Sequence, residues 1–270
     1  MLATVKNGYD APAGEVFELW AAYWQAQLDH TPPWDFMCET IWHALRETLA
    51  AHGAQPRRLL EAGCGTGRVS HRLAAEGLEA HLIDITPEAL RLSRSLDSGG
   101  QGGHYVRGSC FQMPYATGVF DVTWNEGVLE HFEAGPQRRF LTEMVRTLRP
   151  GGLLVTMNPY ARSWLYRLGK AVLEAIGKWP YGPEYPVRTL AGTVEGAELL
   201  DERSVGFLII VSELVSRLLI VRGARRLAHR LCVRAYRFPA VRWLDRVLSR
   251  LFGGYLLVSV FRKAGGRGSC

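Results

Sequence analysis

Apolar positions along the chain change rhythm near residue 56. From there, short apolar runs alternate with segments of helical spacing. Residues 58–61 read as a buried strand entering a glycine-rich turn, 66–76 as a helix and 80–84 as a second strand. Residues 87–96 predict a helix with Thr86 ahead of it and Pro87 at its first position. Residues 104–107 and 119–124 predict a third and fourth strand. A helix over 137–148 is stopped by Pro150-Gly151-Gly152, and 153–157 is a fifth strand. This alternation implies a parallel sheet covered on both faces.

Upstream, the chain is aromatic-rich: Phe17, Trp20, Tyr23, Trp24, Trp34, Phe36 and Trp42, interrupted at Thr31-Pro32-Pro33. A helix is expected over 35–52. Residues 1–55 would form a helical cap before a domain at 56–270. At helical spacing the aromatics read first as packing and second as a lid, for which Tyr9 is a further candidate.

Downstream, 163–178 reads as helix, 179–183 as loop, and 198–204 and 255–262 as strands six and seven. Two helices are expected between those strands, in an insertion at about 207–252. In the first, Leu214, Leu218, Val221, Ala224 and Leu227 alternate with Arg217, Arg222, Arg225, Arg226, Arg230 and Arg234. Phe238-Pro239 breaks the pattern. In the second, Arg242, Arg246 and Arg250 share one face, and Trp243, Leu244, Val247, Leu248, Leu251 and Phe252 supply an apolar one.

Charge makes this segment distinctive. Residues 203–267 hold fourteen of the 32 Lys and Arg against two acids, while the remainder has eighteen basic and twenty-four acidic residues. A basic amphipathic pair carrying Trp and Phe suits peripheral contact with an anionic membrane, or else a substrate lid with solvated arginines. RNA is the weaker partner, because no recognisable RNA module accompanies the arginines.

With 47% hydrophobic and 21% charged residues, the 270-residue chain has ordinary globular composition. Its start lacks the pattern of a signal peptide, and its longest apolar run, near 205–211, is too short to span a bilayer. A cytoplasmic protein is expected. Five scattered cysteines (Cys38, Cys64, Cys110, Cys232, Cys270) without a C-x-x-C pair argue against a disulfide framework or zinc cluster, and no metal is expected.

Candidate chemistry begins at Glu61-Ala-Gly-Cys-Gly-Thr-Gly67. Glycines there allow tight turning and close approach to a ligand at the following helix N-terminus. Asp84 ends the next strand, about the right distance on to accept from ribose hydroxyls. Four further stretches follow in order: His81-Leu-Ile-Asp84, Met113-Pro-Tyr with Val119-Phe-Asp-Val122, Val128-Leu-Glu-His-Phe132, and Leu148-Arg-Pro-Gly-Gly-Leu-Leu154.

Over residues 56–160 this series resembles the class I S-adenosylmethionine-dependent methyltransferases, most closely the type 11, quinone-biosynthesis-like branch that acts on small molecules. The resemblance implies a Rossmann-like α/β fold, a seven-stranded mostly parallel sheet with helices on both faces and the helical insertion near the C-terminus. It implies S-adenosylmethionine as cofactor. Gly63, Gly65 and Gly67 would line its methionine part, and Glu61 would organise the turn or the amino group. Asp84 would hold the ribose, with Ile85 on the adenine and Ser109, Cys110 and Phe111 bordering it. Asn125 and Glu126 would lie near the methyl group. Ser109 stands where the family usually carries an acid.

Methyl transfer needs alignment and exclusion of water, with a base for a hydroxyl or thiol acceptor. His131 is the candidate base by resemblance, with capping or packing as the alternative, and Glu126 and Glu130 are secondary candidates. Glu184, in the aromatic loop after Trp179, would orient the acceptor, and Tyr160 and Tyr181 would line its pocket. A small, lipid-like or aromatic acceptor methylated on O or C is the expectation. An RNA methyltransferase and a non-catalytic cofactor-binding scaffold remain alternatives, and a dinucleotide dehydrogenase is disfavoured by the G-x-G-x-G spacing.

Overall fold

A computed structural model describes residues 12–29, 34–97, 103–218 and 222–265. Tyr9 and Cys270 lie outside them, as do the side chains of Arg217, Arg222, Arg225 and Arg226.

The elements run α1 (Pro12–Gln27), α2 (Phe36–Ala51), β1 (Arg58–Ala62), α3 (Arg68–Ala75), β2 (Glu79–Asp84), α4 (Pro87–Leu96), β3 (Gly103–Arg107) and β4 (Phe120–Glu126). A 3-10 turn (Leu129–His131) leads to α5 (Ala134–Thr147), β5 (Leu148–Pro159), α6 (Trp164–Ala175), β6 (Ala197–Val205), α7 (Phe207–Leu218), α8 (Arg222–Tyr236), α9 (Pro239–Phe252) and β7 (Leu256–Lys263). One seven-stranded sheet has the order β3-β2-β1-β4-β5-β7-β6. The first five strands pair in parallel, and β7 runs antiparallel between β5 and β6. Strand order reverses beside β1, which opens a crevice at the strand carboxyl ends, where ligands of such sheets sit.

Side-chain alternation divides the core between two faces. Leu59 of β1 packs with Ile41, Leu45 and Leu49 of α2 and with Leu73 of α3. Its neighbour Leu60 packs with Phe140, Leu141 and Met144 of α5. A period of two thus serves both layers, as a doubly covered strand requires.

One expectation needs correction. Residues 207–252 hold three described helical segments, not two. The apolar run 207–211 is helical because residues distant in sequence cap it: Asp245 accepts from the amides of Gly206 (3.0 Å) and Leu208 (2.8 Å), and Ser249 Oγ accepts from Phe207 (3.1 Å). A carboxylate on N-terminal amides stabilises a helix start by satisfying otherwise orphaned donors.

Helix α9 packs on the rest of the molecule by its polar side. Arg242 and Arg246 bond Glu47 of α2 (2.8 Å each), and Asp245 and Ser249 are buried. Trp243, Leu244, Leu251 and Phe252 are exposed.

Candidate active site

A cavity of about 1140 Å³ opens at the carboxyl ends of β1, β2 and β4. That is roomy enough for a cofactor and an acceptor together. At its sheet end, the chain turns through Gly63, Gly65 and Gly67, all at positive φ. The Gly63 and Cys64 amides donate to Ile83 O (2.9 and 3.0 Å), so β2 pins the turn. Asp84 reinforces this, because its Oδ2 accepts from Gly65 N (2.9 Å) and its Oδ1 accepts from the amide and hydroxyl of Thr86. A side chain at Gly67 would lie 2.2 Å from Leu82 Cδ2, and one at Gly63 would lie 2.6 Å from Val128. At both positions a side chain would have to displace a packed neighbour and would strain the left-handed backbone.

The turn end is acidic. Glu61, Asp84 and Glu126 all line it. Burial pushes the Glu61 carboxyl up to about 8 and that of Glu126 up to about 7, and raises Asp84 as well. Glu61 Oε2 is buried without a hydrogen-bond partner. A fixed acceptor in an apolar wall fits a cationic group, and S-adenosylmethionine carries two, its ammonium and its sulfonium. Ile85, Ser109, Cys110 and Phe111 line the neighbouring wall. The Ser109 hydroxyl accepts from the Phe111 amide (3.2 Å), which shapes the loop there. These residues would hold the cofactor's adenosine, with Asp84 beside its ribose.

At the other end, the 3-10 turn after β4 carries Glu130 and His131, both buried. His131 Nδ1 lies 3.4 Å from Pro183 O, and its Nε2 lies 3.9 Å from Glu130 Oε1. A proton on Nδ1, donated to that carbonyl, leaves the Nε2 lone pair free. Burial lowers the imidazole to about 4, so it is neutral near pH 7. Burial also raises Glu130 well above the usual carboxylate range, and its Oε2 has no partner. Glu184 accepts from Tyr166 (2.9 Å) and Arg167 (3.3 Å).

Aromatic rings close this end. Trp20 meets His131 edge-on (5.0 Å between centroids) and stacks on Tyr181 (6.1 Å), while Tyr23 and Trp24 continue the layer. Trp24 covers Gly65, where a Cβ would lie 2.8 Å from its ring. Helical spacing favours packing for these α1 aromatics, yet they line the cavity. Such spacing shows that they share a face but not what that face meets.

Of the predicted residues, Glu61, Gly63, Gly65, Gly67, Asp84, Ile85, Ser109, Cys110, Glu126, His131, Tyr181 and Glu184 come together around this cavity. Asn125 and Tyr160 are not among its lining residues. Asn125 alternates with Trp124 and Glu126, which face the cavity, so it is buried on the opposite side of the sheet. Tyr160 pairs instead with Val187 in an isolated bridge. Lys170, buried on α6, escapes the sequence reading. It bonds Glu174, lies 5.0 Å from the Trp179 ring and lines the cavity. As one lysine in an amphipathic helix, it carries no sequence signal. The cluster Glu79, His81 and His104, close enough to bind a metal ion, is likewise not expected from the sequence.

Residues 60–156 match the methyltransferase-domain family. An uncharacterized methyltransferase of Mycobacterium sp. (strain JLS) is 32% identical over 135 residues, covering 50% of this chain and 49% of that protein. The malonyl-(acyl-carrier protein) O-methyltransferase of Salmonella typhimurium is 30% identical over 102 residues, 38% of this chain and 39% of its own length. The chain thus spans about half or less of the length of these curated relatives. Magnesium protoporphyrin IX methyltransferase of Synechocystis, solved with bound SAH, shares the fold at a TM-score of 0.58 and 14% identity, covering 94% of this chain and 100% of that one. The family match falls on the strands whose ends build the glycine turn and the acidic wall, and residues 60–156 form a methyltransferase domain of the S-adenosylmethionine-dependent kind.

Proposed function

We propose that the protein transfers the methyl group of S-adenosylmethionine to a small, largely apolar acceptor held in the part of the cavity that the α1 aromatics and the Glu130–His131 turn line together. The observation that carries this reading is one continuous cavity, with the glycine turn and Asp84 at one end and His131, Glu184 and the aromatic rings at the other.

The cofactor supplies an electrophilic methyl on sulfur. The chain's part is to position and to exclude water. Glu61 and Asp84 hold the cofactor end, and Trp20, Trp24 and Tyr181 cover the acceptor. The free Nε2 of His131 takes the acceptor's proton when a hydroxyl is methylated. Tyr166 and Arg167 hold Glu184 in place to orient the acceptor.

The test incubates the protein with methyl-labelled S-adenosylmethionine and separate lipid and aqueous small-molecule extracts. Label should enter one defined product, and His131→Gln should lower kcat about 10²-fold or more. Cofactor binding without label in any fraction would favour a binding scaffold and defeat the proposal.

A further inference from the structure

Helix α6 carries an apolar ridge that nothing in the described structure covers. Trp164, Leu168, Val172 and Ile176 recur every fourth residue, so they lie along one line, and each is more than half exposed. A large exposed apolar stripe on a water-soluble domain marks an interaction surface. Leu168 and Val172 also form part of the cavity wall, so the ridge reaches the mouth.

The ridge continues onto α9. A Cβ added at Gly253 would lie 2.9 Å from Arg162 O and 3.2 Å from Ser163 Cα, so the end of α9 sits against the start of α6. Leu251 and Phe252, just before Gly253, are exposed, and so is Trp164, just after Ser163. The packing of α9 adds an independent argument. Its arginines at 242 and 246 are engaged by Glu47, its acid and Ser249 are buried, and Trp243, Leu244, Leu251 and Phe252 are left outward.

Cations frame this surface. Arg162 precedes the ridge, Lys178 follows it and Arg250 adjoins Leu251, all exposed. Arg250 belongs to the positively charged part of the chain, where residues 203–267 carry fourteen basic residues against two acids. Apolar side chains with an interfacial Trp, ringed by Lys and Arg, complement an anionic bilayer, which offers acyl chains beneath negative headgroups. A protein partner would need matching acids around an apolar groove.

We propose that the α6 ridge and the outward face of α9 dock the cavity mouth on an anionic lipid surface, so that an amphiphilic acceptor enters the cavity from the bilayer. The docking is independent of the proposed reaction, and only the route of the acceptor rests on it.

The test is co-sedimentation of the full chain with phosphatidylcholine vesicles, with and without phosphatidylglycerol. Binding should be about tenfold or more stronger with phosphatidylglycerol, and should weaken as salt rises. Trp164→Glu and Leu251→Glu should each abolish it, and Arg250→Glu should weaken it about tenfold. None of these residues lines the cavity, so all three variants should bind S-adenosylmethionine as the wild type does. That readout separates loss of docking from misfolding and from failure of the methyltransferase reading. Wild-type protein staying in the supernatant with both vesicles would overturn the proposal. So would unchanged binding of the ridge variants, or a wild-type dimer that the same substitutions dissociate, which would make the ridge a contact between two copies.

Discussion

Glu61 and Glu126 end neighbouring strands inside a largely apolar wall, and burial raises them to about 8 and about 7. In the free protein both are substantially protonated near neutral pH, whereas a cationic ligand prefers them ionised. Cofactor binding must therefore release protons at lower pH. Affinity for S-adenosylmethionine should fall as pH drops from about 7.5 to about 6, by at most about tenfold per unit for each carboxyl. Calorimetry across that range should show the slope, and Glu61→Gln should flatten it. A flat wild-type profile would mean that these carboxyls do not meet the cofactor's charge. Gly67→Ala should destabilise the fold by about 2–4 kcal/mol, from left-handed strain and overpacking together. At Gly118, also at positive φ but with nothing within 4 Å of a Cβ, alanine should cost only the strain, about 1–2 kcal/mol. Urea midpoints of the two variants give the comparison.

Elements are legible where local chemistry decides them. Pro87 and Thr86 mark the start of α4, and Asp35 caps α2 by accepting from Cys38 N (2.7 Å). The glycine turn and Asp84 are readable because backbone conformation and strand alternation fix them locally. Helix α9 is not. Its periodicity gives an apolar and a basic face, but which face turns inward depends on Glu47 of α2 and on the α7 amides, more than thirty residues away in sequence. Alternation likewise decides Asn125, since a strand-end position says nothing of which sheet face holds the cavity. Asp245 also supplies a measurable claim. It accepts from two amides at the start of α7 and from Tyr236 (2.9 Å). Asp245→Ala should cost about 2–4 kcal/mol, since buried donors lose their acceptor. Glu47→Ala, at a half-exposed site, should cost about 1 kcal/mol or less for each ion pair. Equal losses in thermal unfolding would contradict this ranking.

Across the whole molecule, Glu39 joins the N-terminal helices to the C-terminal insertion. Its buried carboxylate accepts from Trp34 (2.5 Å), Arg72 (3.1 Å) and Arg237 (3.2 Å), so α2, α3 and the turn after α8 meet on one side chain. Burial alone would raise it, but the indole bond and the Arg72 guanidinium outweigh that and hold it below the usual range. A depressed carboxyl stabilises the fold fully above its unfolded pKa and loses that contribution as pH falls through the folded one. Glu39→Gln should reduce stability at pH 7 and flatten its decline in acid, which denaturant unfolding at several pH values would register. The α1 aromatics, the glycine turn and the α6 mouth surround one cavity, and that arrangement has a direct test. Calorimetric titration of S-adenosylmethionine into the wild type should show saturable one-to-one binding, lost in Asp84→Ala while the variant still unfolds cooperatively. A folded wild type that takes up no S-adenosylmethionine would contradict the account.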